Sequence, residues 1–210
     1  MVMAEATNHY FKHLGVSDGL SQVCIPSIYQ DELGAVWLGT TEGLNRYNGK
    51  DVRVFQPSES NNGLTNNEVN ELCGDKNGRM YIRSGNDLIK LDIYTEQFTC
   101  LRQKGVYGLF CKKDTLWVSC ADGIYYYTGQ GTELTFFARV QKGFVGRALY
   151  VDKETVWVVT RKYLVAISRE DPLRQEILLT LDKGNCILGD SSGNIWVGAW
   201  NGLYRVSPDR

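Results

Sequence analysis

"DELGAVWLGTTEGLNRYNG" runs from Asp31 to Gly49, and "DSSGNIWVGAWNGLYRV" repeats its pattern from Asp190 to Val206. Each copy spells an aspartate, a glycine three places on, a tryptophan three places further, and a Gly-Leu pair after a short loop. Asp closes a turn through the neighbouring backbone, and Gly accepts the positive φ that a tight hairpin demands. Both stretches therefore read as strand, turn, strand, and two such matching hairpins in one chain call for a search for further copies.

Aligning on the aromatic residue gives five copies, at Trp37, Tyr81, Trp117, Trp157 and Trp196, separated by 44, 36, 40 and 39 residues. From that aromatic the copies run without gaps as "WLGTTEGL", "YIRSGNDL", "WVSCADGI", "WVVTRKYL" and "WVGAWNGL". Upstream, three copies share the Asp-x-x-Gly-x-x-aromatic spacing (Asp31, Asp75 and Asp190), while "FCKKDTLW" and "YVDKETVW" have a turn one residue shorter. Each unit reads as three strands and a weaker fourth, such as "VRVF" at 52–55 or "LTFFA" at 134–138, and no segment shows sustained helical periodicity. A four-stranded sheet of about 40 residues, repeated about an axis, is the signature of a β-propeller blade. The expected fold is all-β: a propeller of five blades at about 23–60, 66–102, 105–138, 145–181 and 184–206, forming one domain that is either a closed ring or an arc of a larger propeller. "HYFKHL" at 9–14 is expected to be an outer strand completing the last blade, which stops after three strands of its own. The five aromatics are expected in the wedges between sheets, each contributing about 2–3 kcal/mol by burial.

Composition excludes several functions. The 210 residues carry 23 Lys and Arg against 24 Asp and Glu, a formal charge of -1, so no net field gathers nucleic acid. No stretch approaches the roughly 18 apolar residues of a bilayer span, so no direct membrane contact is expected from this segment. The six cysteines include no Cys-x-x-Cys pair, and those in "GLFCKK", "LWVSCADG" and "NCILGD" read as small buried hydrophobes.

Chemistry-bearing groups are sparse. His9 and His13 form an isolated pair without a third metal ligand, and read as solvated. "DKNG" at 75–78 lacks the alternating acids of a calcium loop. Neither a metal, a cofactor nor a catalytic set is expected. The repeats act as their own controls for binding: the two positions following the aromatic strand read Thr41-Glu42, Gly85-Asn86, Ala121-Asp122, Arg161-Lys162 and Trp200-Asn201. Trp200 and Arg161 stand where the scaffold asks only for turn residues. An exposed indole stacks on the apolar face of a sugar, and cations and carboxylates fix polar substituents. The candidate binding rim is Trp200, Arg161, Glu42, Asp122 and Asn201, with Arg83 replacing the small Gly39, Ser119 and Gly198 of other copies. Trp200 packing on a neighbouring loop or a partner subunit is the competing expectation.

"HLGVSDGLSQ", "IYQDELGAVWLGTTEGLNRYNGKDVRVF" and "NNGLTNNEVNELCGDKNGRMYI" together resemble the two-component regulator propeller repeat, and the likeness extends over about 11–206. Copies three and four depart from the pattern by their shorter turn, and Tyr163 replaces the glycine after the loop in copy four. The resemblance implies the periplasmic sensor region of hybrid two-component histidine kinases of polysaccharide-degrading gut bacteria, in which propellers receive oligosaccharides and a dimer relays the change. It implies a periplasmic, non-catalytic module whose partners are an oligosaccharide, its own copy or further sensor domains, the kinase part lying outside this chain. A propeller used only for protein interaction is the first alternative, and a polysaccharide hydrolase or lyase the second.

Overall fold

The computed structural model describes residues 11–57 and 63–208. Strands β1 (Ser27–Gln30), β2 (Val36–Thr40), β3 (Gly43–Tyr47) and β4 (Val52–Phe55) form the first antiparallel sheet in sequence order. The second contains β5 (Val69–Gly74), β6 (Arg79–Ser84), β7 (Asp87–Asp92) and β8 (Gln97–Arg102). The third contains β9 (Val106–Lys112), β10 (Thr115–Cys120), β11 (Gly123–Tyr127) and β12 (Thr135–Ala138). The fourth contains β13 (Gly146–Val151), β14 (Thr155–Thr160), β15 (Tyr163–Ser168) and β16 (Gln175–Thr180). The fifth contains β17 (Gly184–Gly189), β18 (Ile195–Ala199) and β19 (Gly202–Val206), and among the described residues has no fourth strand. These are propeller blades, each a meander whose first strand is innermost.

One carboxylate organises each hairpin that keeps the aspartate. Asp31 Oδ1 accepts the backbone N–H groups of Leu33 (3.0 Å) and Ala35 (2.9 Å), while Oδ2 accepts the indole N–H of Trp37 at 2.7 Å. Asp190 does the same for Ser192, Asn194 and, at 2.8 Å, Trp196. In the shorter turn Asp152 closes on Glu154 and Thr155 and reaches Trp157 Nε1 at 2.6 Å. The turn glycine Gly34 sits at φ 86°, where a β-carbon would be strained. Where Tyr81 replaces tryptophan, the Asp75 carboxylate pairs instead with the Arg79 guanidinium. Where Lys112 replaces aspartate, its ammonium reaches the Val151 carbonyl of the next blade at 2.7 Å.

The first four rings face the following sheet. Trp37 packs with Val69, Leu72, Met80 and Ile82 of the second blade. Tyr81 packs with Val106, Leu109 and Val118 of the third, Trp117 with Leu149, Val156 and Val158 of the fourth, and Trp157 with Ile195 and Val197 of the fifth. Four wedges thus join five sheets, and all four of these rings are buried. Gly39 permits a close approach: a β-carbon there would lie 2.7 Å from the Val69 carbonyl oxygen of the next sheet.

The fifth ring differs. Trp196 is only partly buried, and on its face of the sheet Leu188 and Leu203 are 63% and 69% exposed. On the opposite end of the assembly Ile28, on the first sheet's outer face, is 64% exposed. Among the described residues no apolar core joins the fifth sheet to the first, and the blades form an arc whose fifth-sheet face is open, while the first sheet's outer face is partly covered, Leu38 and Asn45 being buried and Asn45 bonded to Ser21 at 2.9 Å. The closing strand expected at 9–14 lies in part outside the described residues. Its described part, 11–14, takes no strand conformation, and Lys12 Nζ donates to the Tyr47 hydroxyl on the first sheet at 3.2 Å, so the segment runs over the first blade. His9 lies outside the described residues, and His13 is exposed. The expectation of buried cysteines is corrected for Cys186, which sits on the open face of the fifth sheet, and Cys24 and Cys100 are exposed as well. Cys120 is buried, whereas Cys73 and Cys111 are half-buried, with their sulfurs 2.9 Å apart.

Truncating a ring should cost in proportion to what covers it. Trp37→Ala is expected to lower the unfolding free energy by about 3–5 kcal/mol, and Trp196→Ala by only about 1–2 kcal/mol, measured by urea denaturation. The indole of Trp196 and the side chain of Asn194 hold the Asp190 carboxyl down to about 2, below its ordinary 3.8. A depressed carboxyl stabilises the fold above its unfolded pKa and loses that contribution as pH falls through the folded value. Asp190→Asn should therefore reduce the loss of stability between pH 4 and pH 2 relative to the wild type, read from paired urea midpoints.

Candidate functional site

The hairpin turns between the second and third strands of the blades occupy one rim. The fourth is held by its own threonine: Thr160 Oγ1 donates to the Tyr163 carbonyl at 3.1 Å and accepts the backbone N–H groups of Lys162 (3.2 Å) and Tyr163 (2.9 Å). This tight turn leaves Arg161 and Lys162 exposed at its tip. In the fifth blade Trp200 N–H donates to the Asp182 carbonyl at 2.9 Å, and Asn201 Oδ1 accepts the Asp182 N–H at 3.4 Å. The two bonds fasten the turn to the incoming connector. They also bring the Lys183 ammonium over the Trp200 ring, 4.8 Å from its centroid. The indole remains 79% exposed.

Trp200 and Arg161 meet in one cleft of about 460 Å³, which Arg147, Lys183 and Asn185 also line. A second cleft, of about 490 Å³, lies on the other side of Arg147 and Arg161 and is walled by Tyr107, Phe144 and Lys162. Arg147 and Tyr107 reach a third, axial cleft of about 570 Å³ onto which all five innermost strands open. The three clefts form a continuous surface from the rim to the axis at the fourth and fifth blades.

The remaining rim residues serve other contacts. Asn201 faces the connector, as above. Arg83 lines the axial cleft, but its guanidinium is engaged by Glu71 at 3.3 Å and the Gly85 carbonyl at 3.2 Å. Burial pushes the Glu71 carboxyl above its ordinary value, and Arg83 partly draws it back. Asp122 accepts from Arg102 at 2.8 Å and from the Tyr125 hydroxyl at 2.9 Å. Burial opposes its ionisation, but these two donors outweigh it and hold the carboxyl below its usual range. Glu42 is exposed on the first blade, where its backbone carbonyl accepts Gln56 Nε2 at 3.1 Å, and it does not line the Trp200 cleft.

Residue-by-residue reading of the turns misses a second set of side chains. The innermost strand of blades two to five carries one extra residue near its start, a β-bulge where the register to its neighbour shifts. The extra residues are Asn70, Tyr107, Arg147 and Asn185, and with Pro26 at the matching place ahead of β1 they ring the axial cleft. A bulge leaves a residue without a cross-strand partner and re-aims its side chain, here toward the axis. A signal exists in the sequence: each lies 11 residues before the blade aromatic, or 10 in the two copies with the shorter turn. Four residue types occupy the five places, while the flanking residues are small or apolar except for Glu71.

Residues 19–42, the segment leading into the first blade with its strands β1 and β2, match the family model described as two component regulator propeller. A 53-residue stretch is 38% identical to histidine kinase P4 of Formosa agariphila, covering 25% of this chain and 4% of the kinase. The fold is shared with an extracellular domain assigned to a hybrid two component system, BT3049 of B. thetaiotaomicron. That superposition has a TM-score of 0.82 at 22% identity, over 94% of this chain and 30% of the other. A gluconolactonase, XC5397 of Xanthomonas campestris, is a more distant propeller, with a TM-score of 0.63 at 13% identity over 85% of this chain and 70% of the enzyme. The chain thus spans less than a third of the two-component proteins that it matches.

The exposure of the tryptophans is directly measurable. Trp37, Trp117 and Trp157 are buried and Trp200 is open, so acrylamide should quench chiefly the Trp200 emission, with a smaller part from Trp196. Trp200→Phe is expected to remove most of the quenchable fluorescence, and equal quenching in the variant would contradict this placement.

Proposed function

We propose that this chain is a non-catalytic ligand-sensing propeller of a periplasmic two-component receptor, responding to oligosaccharides. The observation that carries the reading is the pairing of Trp200 and Arg161 in one cleft at the rim, where the first three blades carry small or acidic turn residues. An open indole face beside hydrogen-bond donors suits a pyranose ring, which offers an apolar face and a polar edge. The two component regulator propeller repeat at 19–42 and the fold shared with the BT3049 extracellular domain support a place in signalling outside the cytoplasm. A propeller fold by itself serves many functions, including that of a gluconolactonase, so the weight rests on the cleft.

A second reading, a module for self-association or for docking further sensor domains, is favoured by the exposed Leu188, Leu203 and Ile28 at the two ends of the arc. The two readings separate experimentally. The double variant Trp200→Ala with Arg161→Ala should weaken oligosaccharide binding by at least about 10-fold, with the melting temperature shifted by no more than about 2 °C, as expected for surface positions. Unchanged affinity in the folded variant would move the site elsewhere. A dimer by light scattering with no ligand-induced thermal shift would favour the interaction module instead.

A further inference from the structure

We propose that the ligand recognised at the Trp200 cleft is anionic, an acidic saccharide whose carboxylate or sulfate is received by Arg147 and Arg161 while its ring lies on the free face of Trp200. This deepens the preceding reading and rests on it. The first support is the charge imbalance of the cleft. Arg147, Arg161 and Lys183 all line it, and no carboxylate does. Lys162 adds a fourth cation on the adjoining wall, and again no carboxylate faces it there.

The five arginines of the first two sheets provide the contrast. Arg46 and Arg53 share Glu96, Arg79 meets Asp75, Arg83 meets Glu71, and Arg102 meets Asp122. Arg147 and Arg161, both exposed, have no side-chain partner among the described residues, and Tyr107 and Phe144 line the cleft beside them. Like charges gathered without counter-charge repel one another, and an arriving anion relieves that repulsion as well as forming its own bonds. Guanidinium groups fit the planar carboxylate and the sulfate through paired N–H donors, which a lone ammonium does not.

The second support is positional. Arg147 is the bulge residue of β13, freed from cross-strand pairing, and Arg161 is the tip of the turn that follows β14. They stand together on the ridge shared by the two clefts, so a single acidic group can be held from both sides. Lys183 covers one face of the indole, leaving the other for a sugar ring. Asn185, next to this ridge at the bulge of β17, presents an amide suited to neutral hydroxyls.

The test is isothermal titration calorimetry of the intact chain with three probes: neutral oligosaccharides, uronate-containing or sulfated oligosaccharides of equal length, and sodium sulfate alone. Acidic oligosaccharides should bind at least about 10-fold more tightly than neutral ones, the scale of one or two charge-assisted contacts. Their affinity should fall severalfold between about 50 and 300 mM NaCl, as expected for a screened surface site. Arg147→Gln and Arg161→Gln should each remove most of the preference for acid while retaining the melting temperature, and Lys50→Gln, on a remote turn, should leave it intact. Equal binding of neutral and acidic sugars would overturn the anionic assignment and leave saccharide recognition standing. Sulfate binding as tightly as the sulfated sugar would reduce the site to one for free anions, overturning the saccharide part. No binding by any probe would overturn both readings.

Discussion

A carboxylate that closes a turn and also receives an indole N–H is the constraint on which this fold rests. Asp31, Asp152 and Asp190 each use one oxygen for the backbone of the hairpin and the other for the tryptophan five or six residues on. The ring's orientation is thereby tied to the hairpin that carries it. Because the bond is charge-assisted and the rings of Trp37 and Trp157 are buried, the arrangement leaves little freedom at χ1 and χ2. The repeat has a direction: each of the first four rings leans on the next sheet, whether its hairpin keeps the clamp or not. The substitutions within the chain follow the same logic, since Asp75 turns to Arg79 once Tyr81 removes the indole donor.

Much of this is visible in the sequence because it is local. The spacing of Trp37, Tyr81, Trp117, Trp157 and Trp196, the glycine of the turn and the Gly-Leu continuation are short-range patterns, and they locate the sheets and their wedge residues. The ends of the arc are less legible. Whether Leu188 and Trp196 meet another sheet depends on the angle between blades, a small rotation repeated five times, which no single copy encodes. Cys186 is exposed against expectation for the same reason: an apolar strand signals burial only if a neighbour lies over that face.

The candidate site was half legible. Trp200 and Arg161 stand out because the other copies show what the turn alone requires. Glu42 and Asp122 also stand at turn positions, but their blades lie away from the cleft, and Asp122 is engaged by Arg102 and Tyr125. Arg147 is harder to single out because it sits inside a strand, where alternation assigns every side chain to one face or the other. A bulge breaks that alternation by one residue, and the break shows directly in the hydrogen-bond register.

That irregularity has a consequence for how such a molecule changes over time. Pro26, Asn70, Tyr107, Arg147 and Asn185 occupy corresponding places around the axis and, apart from the two asparagines, differ in chemistry, since each is excused from both the ladder and the wedge. Selection can rewrite these positions one at a time without disturbing the layers beneath. A family built on this backbone can thus acquire new ligands at its mouth while its interior hardly evolves.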